Sequence, residues 1–150
     1  GNDDGLVPVG LGARDTLLME ARMPLYGQDL GDDISPYEAG LGWAVSLDKG
    51  EFVGRDRMAD AKANKPARRL VGFRLTGRGG SPRTHYPVAV DGEVVGEVTS
   101  GAMSPTLGEN IGMALIKREY AGVGKPLQVI IRDKPVEAVQ VKMPFYKRAS

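Results

Sequence analysis

Apolar residues recur at two different spacings along the chain, and the change from one to the other falls near residue 65. Ala13, Leu17 and Ala21 stand four residues apart, with Leu18 widening the stripe. That spacing predicts a short amphipathic helix over 12–21, ended by Pro24. Ser35-Pro36-Tyr37-Glu38 is a capping-box pattern, with serine as the cap, proline at the tolerated first position and glutamate three residues on. Gly40 and Gly42 stop that helix within about a turn. Residues 43–47 (Trp-Ala-Val-Ser-Leu) read as a strand, and 55–63 as a second helix.

Beyond residue 65 the period shortens to two. Strands are predicted at 70–75, 87–90, 93–99, 111–116, 127–132 and 136–143. Asp91-Gly92 joins the second to the third, a hairpin signal because both central residues of that turn need positive φ. In the last strand Val139, Val141 and Met143 alternate with Gln140 and Lys142, one face buried and the other wet. Five or six short antiparallel strands without long helices predict a small barrel or sandwich. The fold class is α+β, with residues 1–65 forming one unit and 66–150 a β domain.

Composition sharpens this division. The formal net charge is +1 over 150 residues, yet residues 1–60 hold twelve Asp/Glu against five Lys/Arg and 61–150 hold seven against fifteen. The switch coincides with Asn64-Lys65-Pro66-Ala67, where proline disfavours helix in the residue before it. Two solvated faces of one domain would give the same asymmetry. The absence of cysteine removes disulfides, thiolate metal sites and cysteine nucleophiles, and a single histidine removes poly-histidine metal sites. No apolar run approaches the ~20 residues a membrane helix needs. The first residues, Gly1-Asn2-Asp3-Asp4-Gly5, have neither the basic nor the apolar region of a secretory signal and no initiator methionine. A fragment starting within a longer chain is expected.

Few side chains stand out as chemistry. Asp29, Asp32, Asp33 and Glu38 form an acidic loop, but their spacing is not that of an EF-hand, and no metal is expected. The stretch Thr76-Gly77-Arg78-Gly79-Gly80-Ser81 lacks the lysine-threonine pair of a phosphate-binding loop. His85 has Ser81, Thr84 and Ser100 as conceivable partners, but none lies in a nucleophile-elbow pattern. The basic residues from Arg68 to Arg83, with Phe73 and Tyr86 as stacking surfaces, leave open a nucleic-acid reading that composition alone makes a minor one. Glu20 sits ~60° around the predicted helix from the stripe marked by Leu17. A carboxylate at the border of a core needs donors: a salt bridge to Arg14 or Arg22, or a ligand with paired N–H groups.

Several strings then resemble one family. Gly10-Leu11-Gly12-Ala13-Arg14-Asp15-Thr16-Leu17, Pro24-Leu25-Tyr26-Gly27-Gln28-Asp29-Leu30 and Glu38-Ala39-Gly40-Leu41-Gly42-Trp43 come first. Phe52-Val53-Gly54-Arg55, the run Gly-Glu-Val-Val-Gly-Glu-Val-Thr-Ser-Gly from Gly92 to Gly101, Ser104-Pro105-Thr106-Leu107-Gly108 and Met143-Pro144-Phe145-Tyr146 follow in order. Together they resemble the T-protein of the glycine cleavage system, the tetrahydrofolate-dependent aminomethyltransferase family. The resemblance implies that 1–65 is the last segment of a folate-binding core and 66–150 the C-terminal barrel domain, jelly-roll-like in type. It implies a parent that transfers a one-carbon unit from the aminomethyl-lipoyl arm of H-protein to tetrahydrofolate, releasing ammonia. The compartment implied is the cytoplasm of a bacterium, or the mitochondrial matrix in a eukaryote.

The catalytic aspartate of that family is expected upstream of Gly1, so Asp15 is not given that role and this chain alone is expected to be inactive. Glu20 matches the family glutamate that pairs with the pterin ring. Tyr26 is implied as a wall of the folate pocket, a core tyrosine being equally open. Lys49 stands near a family arginine, and Arg148 beyond the Pro-Phe-Tyr string, as further folate contacts. The local string departs from the usual Arg-Leu-Glu-Ala-Gly, reading Leu18-Met19-Glu20-Ala21-Arg22. Another folate-dependent enzyme of sarcosine or dimethylglycine oxidoreductase type, or a non-enzymatic module binding an acidic protein, stands as the competing expectation.

Overall fold

The alternating half of the chain closes on itself. In a computed structural model, which describes residues 2–148, six strands form one barrel: β1 (Arg68–Leu75), β2 (Pro87–Val90), β3 (Glu93–Met103), β4 (Asn110–Lys117), β5 (Pro126–Ile131) and β6 (Lys134–Val141). Every pairing is antiparallel, in the order β1-β4-β3-β2-β5-β6, and β6 returns to β1 through Gly72–Val141 and Phe73–Gln140. Strands β2, β3 and β4 follow as hairpins, whereas β1 to β2 and β4 to β5 cross over, which is Greek-key wiring. Closure leaves no unpaired sheet edge. The β2–β3 turn sits where the sequence pattern predicts it, with φ of 50° at Asp91 and 85° at Gly92.

Val71, Phe73, Val88, Val95, Val98, Ala114, Ile116, Leu127, Val129 and Ala138 fill the barrel. Phe73 is fully buried and lies over Gly112, where an added Cβ would come 2.5 Å from the ring and 2.8 Å from the Ser100 carbonyl oxygen. The outer face of β1 and β4 is covered too. Leu70, Met113 and Leu115 form a second apolar cluster there with Ile34, Met143 and Phe145. Burial on both faces is why β1 and β4 read as continuous apolar runs.

Residues before the barrel are helical or irregular. The helices are α1 (Leu11–Glu20) and α2 (Arg55–Asn64). Ser35 and Glu38 make the reciprocal capping bonds, Ser35 N–H to Glu38 Oε2 at 2.9 Å and Glu38 N–H to Ser35 Oγ at 3.3 Å, around a single turn. This turn grips the barrel: Leu70 N–H donates to the Glu38 carbonyl at 2.8 Å and Arg68 pairs with the Glu38 carboxylate at 2.8 Å.

Three local expectations fail. In β6 Gln140 is on the buried side with Val136 and Ala138, its amide bonded to the Tyr120 carbonyl and the Gly122 N–H, while Val139 and Val141 are on the half-buried other side. Gly42–Ala44 is a short 3-10 helix, not the start of a strand, because no strand among the described residues runs beside it to supply a ladder; Trp43 is 84% exposed. The face of α1 turned inward is also not the one the stripe indicated. Leu17 is 65% exposed and Ala13 and Ala21 are exposed, while Met19 and Glu20 are buried. Among the described residues nothing covers the Leu17 side. No helix among the described residues is long and apolar enough to cross a membrane.

Candidate functional site

Glu20 ends α1 and is only 4% exposed. Its carboxylate meets the loop after β3. Ser104 Oγ–H and Thr106 N–H (3.2 Å) donate to Oε1, and Thr106 Oγ1–H donates to Oε2 at 2.7 Å. Ser104 is itself buried, and its hydroxyl oxygen accepts Leu107 N–H at 3.0 Å. The Glu20 carbonyl accepts Tyr146 N–H at 3.0 Å, so the chain after β6 is fastened to the same point. Burial pushes the carboxyl upward, but the Ser104 and Thr106 hydroxyls and the Thr106 amide outweigh it and hold the group below its ordinary value.

The expected salt bridge from Glu20 is therefore corrected. Arg14 pairs with its neighbour Asp15 at 2.9 Å, and Arg22 Nη2 points to the Gly40 carbonyl oxygen at 3.5 Å. Two hydroxyls and an amide satisfy the carboxylate without the cost of also burying a guanidinium.

A second buried carboxylate lies nearby in the fold. Asp29, 1% exposed, accepts Leu25 N–H at 2.9 Å and the Ser100 hydroxyl of β3 at 2.8–2.9 Å. Asp29 and Ser100 border a cavity of about 350 Å³ between α1, the 23–29 turn and the barrel. Asp15, Thr16, Gln28, Arg83 and Thr84 add polar groups, and Leu18, Met19, Leu25 and Met113 an apolar floor. Apolar walls with a few convergent polar groups are the usual lining of a small-molecule site.

The four residues expected to bind a ligand are not gathered in this cavity. Glu20 is in the barrel latch just described. Tyr26 is 72% exposed, so it is no core tyrosine; its hydroxyl donates to Asp32 at 3.2 Å, a bond that raises its pKa. Lys49 is exposed with Nζ 4.6 Å from the Phe52 ring centre, and Arg148 is exposed beyond β6.

Gln28, Ser104 and Thr106 do not stand out in the sequence as site residues, and Asp29, Ser100 and Arg83 stand out there only for other chemistry (a cation loop, a serine triad and a basic run). The signal lay in their strings, since all but Arg83 fall within the family-like segments.

The nucleic-acid, phosphate-loop and serine-triad expectations lose their geometry. Phe73 is inside the barrel and cannot stack on a base. Thr76 and Gly77 N–H both donate to the Glu137 carbonyl, so they are not free for a phosphate. His85 is on the surface beside Glu97 at 3.3 Å, while Ser81 bonds Asn110 and Ser100 bonds Asp29.

Fold and site thus define an α+β module in which a closed barrel is latched to a helical segment through buried carboxylates. The family described as glycine cleavage T-protein C-terminal barrel domain matches residues 68–147, and that described as GCVT N-terminal domain matches 1–49. The chain belongs to the glycine cleavage T-protein family. It is 53% identical over 148 residues to an aminomethyltransferase of Caldanaerobacter subterraneus, covering 99% of this chain and 39% of that protein. With an aminomethyltransferase of Bacillus mycoides the figures are 52% over 150 residues, 99% and 41%. The crystal structure of glycine cleavage system aminomethyltransferase T from Bartonella henselae superposes with a TM-score of 0.86 at 29% identity, covering 92% of this chain and 39% of that one. The chain spans about two fifths of the length of these relatives.

Proposed function

We propose that the chain supplies the folate-facing helix and closing barrel of an aminomethyltransferase. That enzyme moves the one-carbon unit of an aminomethyl-lipoyl H-protein to tetrahydrofolate with release of ammonia. The observation that carries this reading is the buried, ionised Glu20 at the junction of helix and barrel. Three donors fix its orientation, and a carboxylate has about four acceptor positions, so one on Oε2 stays open for an N–H donor. A pterin bearing paired N–H donors can use it directly, and takes a second once the Thr106 hydroxyl turns away. Ser104 and Thr106 are then positioning residues.

Tyr26, Lys49 and Arg148, all exposed, are proposed as outer folate contacts, and the Asp29–Ser100–Arg83 cavity as the polar space beside the reacting centre. Residues 1–65 and 66–150 are proposed as the two structural units, in a cytoplasmic protein. Leu6, Val7, Leu17, Trp43 and Val53 are exposed in the first of them, and the share of the relatives' length that this chain does not span is proposed to pack over them.

The test is reconstitution. The 150-residue chain is mixed with the remaining portion of the Caldanaerobacter relative, and methylenetetrahydrofolate formation from aminomethylated H-protein is followed. The mixture turns over and neither part does alone. Equal turnover by the chain alone, or none by the mixture when both parts are folded and associated, contradicts the proposal.

A further inference from the structure

Three cations border one cavity beside the barrel, and none has a carboxylate partner. The cavity measures about 210 Å³ and lies between β1, the end of β6 and residues 121–123; Arg22, Arg69 and Lys142 are its only charged lining residues. Arg14, Arg55, Arg68, Arg74 and Lys117 pair with carboxylates, whereas these three cations gather at one concave surface without one. Among the described residues no carboxylate lies within ion-pair distance of these three.

Arg69 and Lys142 are exposed at the rim, and Arg22 is half-buried with its Nη2 3.5 Å from the Gly40 carbonyl oxygen. Arg69 shares strand parity with the core residues Val71 and Phe73. Lys142 continues the parity of Val136, Ala138 and Gln140 on the neighbouring strand. Gln140 is 2% exposed and its amide bonds the opposite wall, donating to the Tyr120 carbonyl at 2.9 Å and accepting Gly122 N–H at 2.8 Å. Its backbone also bonds Gly124 and Lys125. Arg22 reaches the cavity from beyond α1 with φ at 59°, a conformation that an L-residue adopts at some cost.

Like charges held around a concave surface repel one another and focus a positive potential into it. An oxyanion relieves the repulsion, and two guanidinium forks with one ammonium match a phosphate group in charge and donor geometry. We propose that this cavity binds a multiply charged oxyanion of the phosphate class, free or as the terminal group of a larger ligand. Arg69 and Lys142 hold it from the barrel and Arg22 from the helix end. The site is separate from Glu20 and does not rest on the aminomethyltransferase reading.

Calorimetric titration of the 150-residue chain at fixed ionic strength tests it, with inorganic phosphate, phenyl phosphate and chloride as probes. Saturable binding of either phosphate probe with no chloride response is expected. Tighter binding of phenyl phosphate marks a terminal group, and tighter binding of inorganic phosphate a free anion. Arg69→Gln combined with Lys142→Gln weakens binding at least tenfold while the melting temperature holds, and Lys134→Gln, on the same strand but outside the cavity, changes nothing. Equal responses to phosphate and chloride, or unaltered binding by the double variant, overturns the proposal.

Discussion

Replacing Glu20 by glutamine tests the latch between helix and barrel, because it keeps shape and removes charge. In the native chain three donors meet an ionised acceptor. Hydrogen bonds to a charged group contribute about 1.5–3 kcal/mol against 0.5–1.5 for neutral pairs, so neutralising the acceptor costs about 1 kcal/mol per bond. The Thr106 hydroxyl must also turn round to accept from the new amide. A total near 2–3 kcal/mol follows, a fall in melting temperature of about 4–10 °C for a chain of this size.

The loss has a defined pH dependence. The folded-state pKa of Glu20 lies below the ordinary value of 4.5, so between the two values the native chain binds fewer protons here than the unfolded one. Its contribution is therefore fully present above the unfolded pKa and disappears as pH falls through the folded one. Melting curves of both proteins from pH 7 down to pH 3 should converge at the acid end. Ser104→Ala combined with Glu20→Gln should cost less than the sum of the single changes, since the two share one bond. An unchanged melting temperature at neutral pH, or a deficit that persists undiminished in acid, refutes the argument.

Asp29→Ala strands the Leu25 amide and the Ser100 hydroxyl in a buried site and should destabilise by about 2–4 kcal/mol, read from urea unfolding. Gly112→Ala drives a methyl into Phe73 and the Ser100 backbone, and should lower stability by about 1–3 kcal/mol while circular dichroism keeps its β signature. Brief trypsin treatment should cut first after Lys62 or Arg78, both exposed outside the barrel strands, leaving β6 intact; first cleavage within β6 would mean the boundary is misplaced.

The barrel was legible in the sequence because short apolar runs are separated by turns that carry their own chemistry, as at Asp91-Gly92, though which side of β6 faces inward was not. Strand ends moved by only a few residues, β3 running on to Met103 where the pattern ended at 99. The helical part was less legible. A stripe of Ala13, Leu17 and Ala21 says that one side of α1 is apolar, not what covers it, and in this chain the Met19–Glu20 side meets the barrel. Residues 43–47 have strand composition, but a strand is made by its neighbour, and none is present among the described residues. The partners of Glu20 lie more than eighty positions away, so spacing along the chain pointed only to the nearest arginines. No periodicity could have found Ser104 and Thr106; the closed barrel brings their loop to the helix end.

Tetrahydrofolate titration of the reconstituted enzyme, native and Glu20→Gln, tests most directly whether the junction is a ligand site as well as a latch. A pterin donor left facing an amide donor should weaken binding about ten- to hundredfold, equivalent to about 1.5–3 kcal/mol. A dissociation constant that stays the same while the melting temperature falls would contradict the account and leave Glu20 a fastening between helix and barrel only.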